Sequence, residues 1–245
     1  MDNSTPSNLQ ILYRDEHCIA IHKPSGIHVH HSKLAPHEIS CVPILRDQIG
    51  AFVYPVHRID RSSSGIVLFA LQPDTMPQFF ALFQEHTIKK IYQAIVRGYF
   101  PESVHVDYPI SADERPKKEA QTNFRLLQKA ELNYPSRDFD TTRLSLIEAE
   151  LLTGRRHQIR LHCAHLRHPI GGDIRHGDGK FNTMFRALFS VHRLLLFSTY
   201  LGFTHPITGE EISIQNHPTT YSPELVPIFE ACNWEVTPSQ QSFLS

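Results

Sequence analysis

The chain is poor in cysteine, methionine and tryptophan, with four, three and one of these among 245 residues. Cys18, Cys41, Cys163 and Cys232 are scattered and form no Cys-x-x-Cys pair. A disulfide framework is therefore not expected, and buried thiols in a reduced, cytoplasmic protein account for them. No apolar run approaches the ~20 residues needed to span a bilayer, and residues 1–8 are polar and lack the apolar core of a signal peptide. Internal repeats and low-complexity linkers are absent. Net charge is nearly absent too: 24 Lys and Arg against 25 Asp and Glu give −1, which on its face disfavours a polyanionic partner.

That average hides a distribution. The 17 His, each roughly a quarter protonated at pH 7, add about four positive charges. Between residues 154 and 209, Arg155, Arg156, Arg160, Arg167, Arg175, Lys180, Arg186 and Arg193 face only Asp173 and Asp178. Residues 210–245 hold five Glu and no Lys or Arg. A basic middle block followed by an acidic segment predicts a polarised surface with nucleic acid on one side.

Hydrophobic patterning predicts many strands and few helices. Leu9–Tyr13 and Cys18–His22 read as a hairpin ending at Lys23-Pro24-Ser25-Gly26. A helix is expected near Ile39–Ile49, strands at Val53–Val56 and Ile66–Leu71, a helix over Asp74–His86 and a strand at Ile91–Val96. Further strands are expected at Phe124–Leu127, Leu144–Leu152, Leu194–Leu201 and Glu211–Ile214, with loops at residues 111–120 and 133–141. Arg156–Leu166 has the helical period, with Ile159, Cys163 and Leu166 on one stripe and Arg156, Arg160 and Arg167 on another, so a helix with a basic face is expected. Short connections make the strands mostly antiparallel and the class α+β.

Chemistry concentrates in His57-Arg58-Ile59-Asp60-Arg61-Ser62-Ser63-Ser64-Gly65, a polar loop between two strands. A carboxylate flanked by two guanidinium groups favours ionised Asp60, fit to act as nucleophile or base; a structural ion-pair loop is the plainer alternative. Ile59 between Arg58 and Asp60 breaks the kinase catalytic-loop pattern. Ser62, two residues before Ser64, breaks the hydrolase elbow.

With three further segments this loop resembles the signature of the RluA-type pseudouridine synthases: His-Arg-Leu-Asp-Arg, any residue, Thr or Ser, Ser, Gly. Ile59 stands in the Leu place and Ser63 in the Thr place. Lys23-Pro24-Ser25-Gly26, the run from Lys90 through Tyr92 to Gly98, and the run from Thr153 through Arg160 to His162 match further family motifs in order. The resemblance covers roughly residues 9 to 215. It implies the pseudouridine synthase catalytic fold, a mixed, mostly antiparallel central sheet flanked by helices and loops. It also implies one catalytic domain over residues 9–235, between a flexible N-terminal tail at 1–8 and a C-terminal tail at 236–245.

By resemblance the chain isomerises uridine to pseudouridine in RNA, without metal, redox cofactor or ATP. Asp60 is the catalytic carboxylate, Arg160 its cationic partner, Tyr92 the ring that stacks on the target base and Arg58 a wedge filling the space of the flipped base. His57, Arg61, Ile159, Arg155, Arg156 and Arg175 complete the substrate-binding set, and Arg167, Lys180 and Arg186 join the last three as phosphate contacts. Without the family, Tyr92 reads as core, Arg160 as a phosphate ligand and Arg58 as half of a structural pair. Ile11-Leu12-Tyr13-Arg14-Asp15-Glu16, the run Gly172–Asp178 and Asn182 are similar to a tRNA-modifying subgroup. This implies a monomeric enzyme with no obligate protein partner and no membrane association, acting on uridine 65 at the base of the T stem. A ribosomal RNA target or another tRNA site is the alternative. His162, His165 and His168, and His28, His30 and His31, invite a metal reading, but no partner carboxylate accompanies them and no metal is expected. Two other classes stay open: a metal-dependent RNA hydrolase and a catalytically silent RNA-binding module.

Overall fold

The computed structural model describes residues 6–31, 38–112, 116–135, 139–232 and 234–236. In chain order the elements are β1 (Gln10–Arg14), β2 (Cys18–Lys23), α1 (Cys41–Ile49), β3 (Tyr54–Pro55), β4 (Ser64–Ala70), α2 (Met76–Gln84), β5 (Lys89–Arg97), β6 (Ser103–Asp107), β7 (Gln121–Leu132) and β8 (Thr142–Leu151). There follow α3 (Gln158–His165), α4 (Gly179–Phe189), β9 (Leu196–Thr204), β10 (Glu211–Gln215), α5 (Pro218–Tyr221), a 3-10 turn (Pro223–Leu225), α6 (Val226–Ala231) and β11 (Glu235–Val236). Among the described residues no helix is long and apolar enough to cross a membrane.

The chain divides into two compact units, Met1–Lys90 with Ser198–His217, and Ile91–Phe197 with Pro218–Ser245. In the first, strand order is β1-β2-β4-β9, with β3 against β4 and β10 against β9. The β1–β2, β2–β4, β3–β4 and β9–β10 ladders are antiparallel, and His28 and Ser40 form a parallel bridge. Every residue of β2 and β4 is buried, so these strands read as continuous apolar runs rather than alternating ones. Their cluster of Cys18, Ala20, Ile66, Leu68 and Ala70 takes in Phe79 of α2, whose full burial contributes about 1.5–3 kcal/mol.

In the second unit the order is β5-β8-β7-β11, with β6 on β7, again in antiparallel ladders. β5 up to Ala94 and β7 up to Leu126 alternate buried and more accessible positions, as a sheet with one covered face requires. In β7 a register shift between Leu126 and Gln128 lets Leu126 and the adjacent Leu127 both be buried.

The expected hairpin, the two N-terminal helices and most strands are present within a few residues of their expected bounds. Other elements differ. β7 runs for twelve residues, far beyond Phe124–Leu127, because its exposed charges are cross-strand partners: Arg125 donates to Glu148 of β8 at 3.0 Å. β6, α4, α5, α6 and β11 were not anticipated. In α4 the signal was present: Asp178 caps the helix by accepting from the Lys180 and Phe181 N–H groups, and Phe181, Met184 and Phe185 form its buried stripe.

The basic face expected on Arg156–Leu166 is not there. The helix begins only at Gln158, so Arg156 precedes it, and Arg167 lies past its end with φ 64°. Arg160, the remaining member of that stripe, is 6% exposed. The 3.6-residue period placed these arginines on one stripe, but burial of one and the short helix separate them.

Candidate active site

The Asp60 loop is built from backbone hydrogen bonds. The Asp60 carbonyl accepts from the Ser63 N–H at 3.1 Å, closing a four-residue turn, and Ile59 is buried beneath it. The loop's first residue is anchored separately. His57 Nε2 accepts from the Leu68 N–H at 2.9 Å, and its ring stacks on Phe83 with centroids 4.2 Å apart. Burial, and then the Lys90 charge, push the His57 pKa down to about 3. An accepting Nε2 is incompatible with a doubly protonated ring, so geometry and electrostatics agree on a neutral His57. NMR titration is expected to find this ring neutral from pH 8 down to about pH 4. Because the unfolded chain takes up that proton first, stability falls as pH drops below about 6.5. A ring that titrates near pH 6.5 in the folded protein overturns this.

Lys23 is the residue whose part in this loop sequence reasoning missed. It ends the fully buried strand β2, is 0% exposed, and donates to the carbonyls of Pro24 at 2.8 Å, Ile27 at 2.8 Å and Arg61 at 3.1 Å. Three carbonyls match the three donors of an ammonium group, the condition under which burying this charge is tolerable. The same two loops are joined by Gly26 N–H to Arg61 O at 2.8 Å, Ser25 Oγ to Ser62 O at 2.7 Å and Arg61 Nε to Gly26 O at 2.8 Å. Arg61 also pairs with Glu38 at 3.3 Å. The Lys-Pro-Ser-Gly segment is therefore the clamp that fixes the Asp60 turn. A lysine closing an otherwise apolar strand ahead of a Pro-Ser-Gly turn was its available signal. Gly65, the last residue of the loop motif, has φ 116°, and a Cβ there would lie 2.2 Å from Ser198 O, so no other residue fits. Arg58 and Arg61 are exposed and Asp60 half-buried, leaving the carboxylate on a rigid and accessible turn.

The second unit holds the other predicted residues. Tyr92 lies on β5 opposite Ala149 of β8 and is 9% exposed. Ile159 is buried on α3. Arg160 Nε and Nη2 donate to Oδ2 and Oδ1 of Asp173, each at 2.8 Å, a bidentate pair in which Asp173 is 2% exposed. Asp173 is thus a partner of Arg160 that the sequence reading did not name. Oδ1 of Asp173 also accepts from the N–H groups of Arg175 at 2.9 Å and His176 at 3.0 Å. Burial alone pushes this carboxyl up, but the Arg160 guanidinium and the two N–H groups outweigh it, and the carboxyl sits below its ordinary value. Arg155 and Arg175 are exposed, with side chains donating to Glu119 O at 3.0 Å and Ala112 O at 3.1 Å; Arg156 is exposed as well.

The histidine trio on and after α3 serves three separate contacts. His162 bonds Thr122 Oγ1 at 2.9 Å and Tyr108 O at 3.0 Å, His165 stacks on Tyr108, and His168 Nδ1 bonds Arg97 O at 2.8 Å. Ligand atoms do cluster elsewhere, where Asp15, Cys18 and His205 bring them within 4.8 Å of one another. His205 Nδ1 accepts from the Ile207 and Thr208 N–H groups, while its buried Nε2 lies 3.3 Å from Asp15 Oδ2 without a hydrogen bond. The Asp15 oxygens take the His17 and Cys18 N–H groups and the Tyr13 hydroxyl, and burial keeps the Cys18 thiol protonated. With the Asp15 oxygens and His205 Nδ1 taken by hydrogen bonds and the Cys18 thiol protonated, His205 Nε2 is left as one available nitrogen, a poor donor set for a metal.

A family model described as RNA pseudouridylate synthase matches residues 17–165, a span holding both clamped loops, Tyr92 and Arg160. The chain belongs to this family. As a pseudouridine synthase it is an RNA-modifying isomerase. It is similar to the tRNA pseudouridine synthase C of Vibrio parahaemolyticus, 45% identical over 219 residues covering 84% of this chain and 89% of the relative. It is 42% identical to that of Pasteurella multocida, over 84% and 90%. Two solved structures share the synthase fold. Human RNA Pseudouridylate Synthase Domain Containing 1 matches with TM-score 0.76 at 20% identity over 100% of this chain and 97% of that one. Human RNA Pseudouridylate Synthase Domain Containing 4 matches with 0.69 at 22%, over 93% and 94%. The synthase is thus α+β with a mixed, mostly antiparallel sheet flanked by helices. The segment carrying Asp173 lies beyond the span the family model matches.

Proposed function

We propose that this synthase isomerises one uridine of tRNA, uridine 65 at the base of the T stem, with Asp60 as its catalytic carboxylate. The reaction breaks the N1–C1′ bond, turns the base, joins C5 to C1′, releases the C5 hydrogen to water and gives N1 a proton. Substrate and product are isomers, so the balance needs no electron or phosphoryl donor. It needs a carboxylate held firmly beside the ribose of an extruded nucleotide. The clamping of the Asp60 turn by buried Lys23 is the observation that carries the assignment.

Around it, Arg160, oriented by Asp173, is the cationic partner that the family resemblance assigns to the catalytic carboxylate, Tyr92 stacks on the base, and Arg58 fills the space the base leaves. Arg61, Arg155, Arg156 and Arg175 are exposed RNA contacts, Ile159 serves from its buried place on α3 beside Arg160, and His57 serves by anchoring the loop. Relatives that bear the name tRNA pseudouridine synthase C at 39–45% identity support tRNA as the substrate. Residues 9–235 act as one catalytic domain, in the cytoplasm, as a monomer without protein partner or cofactor.

Transcripts of tRNA with tritium at uridine C5 test this. The purified protein is expected to release tritium to water without EDTA sensitivity, and a transcript with cytidine at position 65 is expected to release none. Release that survives that substitution, or that requires a ribosomal RNA fragment instead, overturns the position. Strand scission suppressed by EDTA overturns the reaction.

A further inference from the structure

An open cleft of ≈ 970 Å³ lies within the second unit, its lining including Arg97, Arg167, His176, Asp178 and Lys180. Asp178 is the acid of that lining, and its charge is spent. Oδ1 caps α4 by accepting from the Lys180 N–H at 2.9 Å and the Phe181 N–H at 3.1 Å, and Oδ2 pairs with Arg97 Nη1. The start of α4 is therefore already satisfied and is not itself the anion receptor. Arg97 Nη2 also reaches Arg167 O, at 3.4 Å, so this guanidinium is a strut between the end of α3 and the start of α4.

Two cations of the cleft remain. Arg167 and Lys180 are exposed, and among the described residues neither has a carboxylate within ion-pair distance. Arg167 occupies an unusual place for its side chain. It is the residue after the α3 cap, with φ 64°, where its N–H bonds Ala164 O at 3.0 Å and the His168 N–H bonds Cys163 O at 2.9 Å. This left-handed position favours glycine, yet here it carries a guanidinium into a cleft. It follows Arg160 of α3 in the chain, past the helix end. His176 and Gly177 of the lining follow Asp173, which holds Arg160, by three and four residues.

We propose that this cleft is a docking site for the phosphodiester backbone of the substrate RNA, with Arg167 and Lys180 as its two phosphate contacts. The proposal deepens the reading above and rests on RNA being the substrate. Two exposed cations lining one cleft with a neutralised ion pair suit a passing polyanion, and such contacts fix register without reading sequence. The site positions RNA relative to the chemistry and takes no part in it.

Arg167→Gly, Lys180→Gln and the double variant test it, in the full-length protein. RNA affinity is expected to fall several-fold for each single variant at about 0.1 M salt. The slope of log affinity against log salt should flatten by about one unit per variant, with KM rising and kcat changing less than twofold. Arg167→Gly has a second, opposite readout: its melting temperature should equal or exceed that of the wild type, since glycine suits the left-handed cap. Unchanged affinity and slope overturn the proposal. So does an affinity loss for Arg167→Gly that comes with a lower melting temperature, which marks the arginine as structural. Inorganic phosphate competing with RNA at micromolar concentration makes this a small-anion site and overturns the RNA assignment. If the underlying reading fails instead, the wild type itself neither binds RNA nor releases tritium.

Discussion

Replacing Asp60 by Asn is expected to lower single-turnover tritium release at least a thousandfold, about 4 kcal/mol of transition-state stabilisation, with little change in melting temperature or RNA affinity. The separation of these effects follows from how the turn is held. The bonds that pin it run through backbone carbonyls: Asp60 O to the Ser63 N–H, Arg61 O to Lys23 Nζ and to the Gly26 N–H, and Ser62 O to Ser25 Oγ. Asn keeps the size and the backbone of Asp while removing the negative charge, so the turn persists and the chemistry does not. Lys23→Met is the contrasting variant. It removes three donors from carbonyls in a buried site, and should cost both activity and stability. Asp60→Asn retaining more than a tenth of wild-type turnover would remove Asp60 from the catalytic role.

Asp173→Ala is expected to destabilise the protein by about 3–5 kcal/mol, because it strips both carboxylate bonds from a guanidinium that is 6% exposed. For a chain of this size that is a loss of roughly 6–20 °C in melting temperature. Arg160→Met should cost less, since Asp173 then keeps the N–H groups of Arg175 and His176. The wild-type pair also contributes to the pH dependence of stability. Because the Asp173 carboxyl is held below its ordinary value, its contribution is fully present above about pH 4. It is lost as pH falls through the lowered value. Urea unfolding midpoints between pH 2 and 6 are expected to fall less steeply with acid for Asp173→Asn than for the wild type. Midpoints for the two proteins that run parallel down to pH 2 would show that the pair carries none of this dependence. Turnover of Asp173→Asn, measured at a temperature where it remains folded, should fall with that of Arg160→Met. The double variant should lose little beyond the worse single change.

The near-neutral net charge also takes on a physical form in the structure. Of the basic block, Arg160 is committed to Asp173 inside the fold, and Arg193 donates to Glu224 of the acidic C-terminal segment at 2.9 Å. Asp178 is matched by Arg97, from outside the block. Part of the apparent surplus is thus structural pairing, and the exposed remainder includes Arg155, Arg156, Arg167, Arg175, Lys180 and Arg186. Counting charges by segment located the basic region and overstated how much of it faces solvent.

Local signals carried most of the fold and the location of the loop. Strands β2 and β4 announce themselves as apolar runs, β5 and β8 by alternation, and the Asp60 loop as a dense polar insertion between strands. Each depends on backbone preferences and side-chain periodicity within a few residues, which is why a linear reading recovers them. Lys23 as the clamp of a loop 38 residues away, Asp173 as the partner of Arg160, and the cleft joining the end of α3 to the start of α4 are different in kind. Which charge is buried, and against what, depends on how distant elements pack. Burial decides whether an arginine is a solvent-facing contact or half of an internal ion pair. The sequence alone thus determined the chemistry-bearing loop and the class of fold. The tertiary structure decided which cations are buried as internal partners and which stay exposed to solvent.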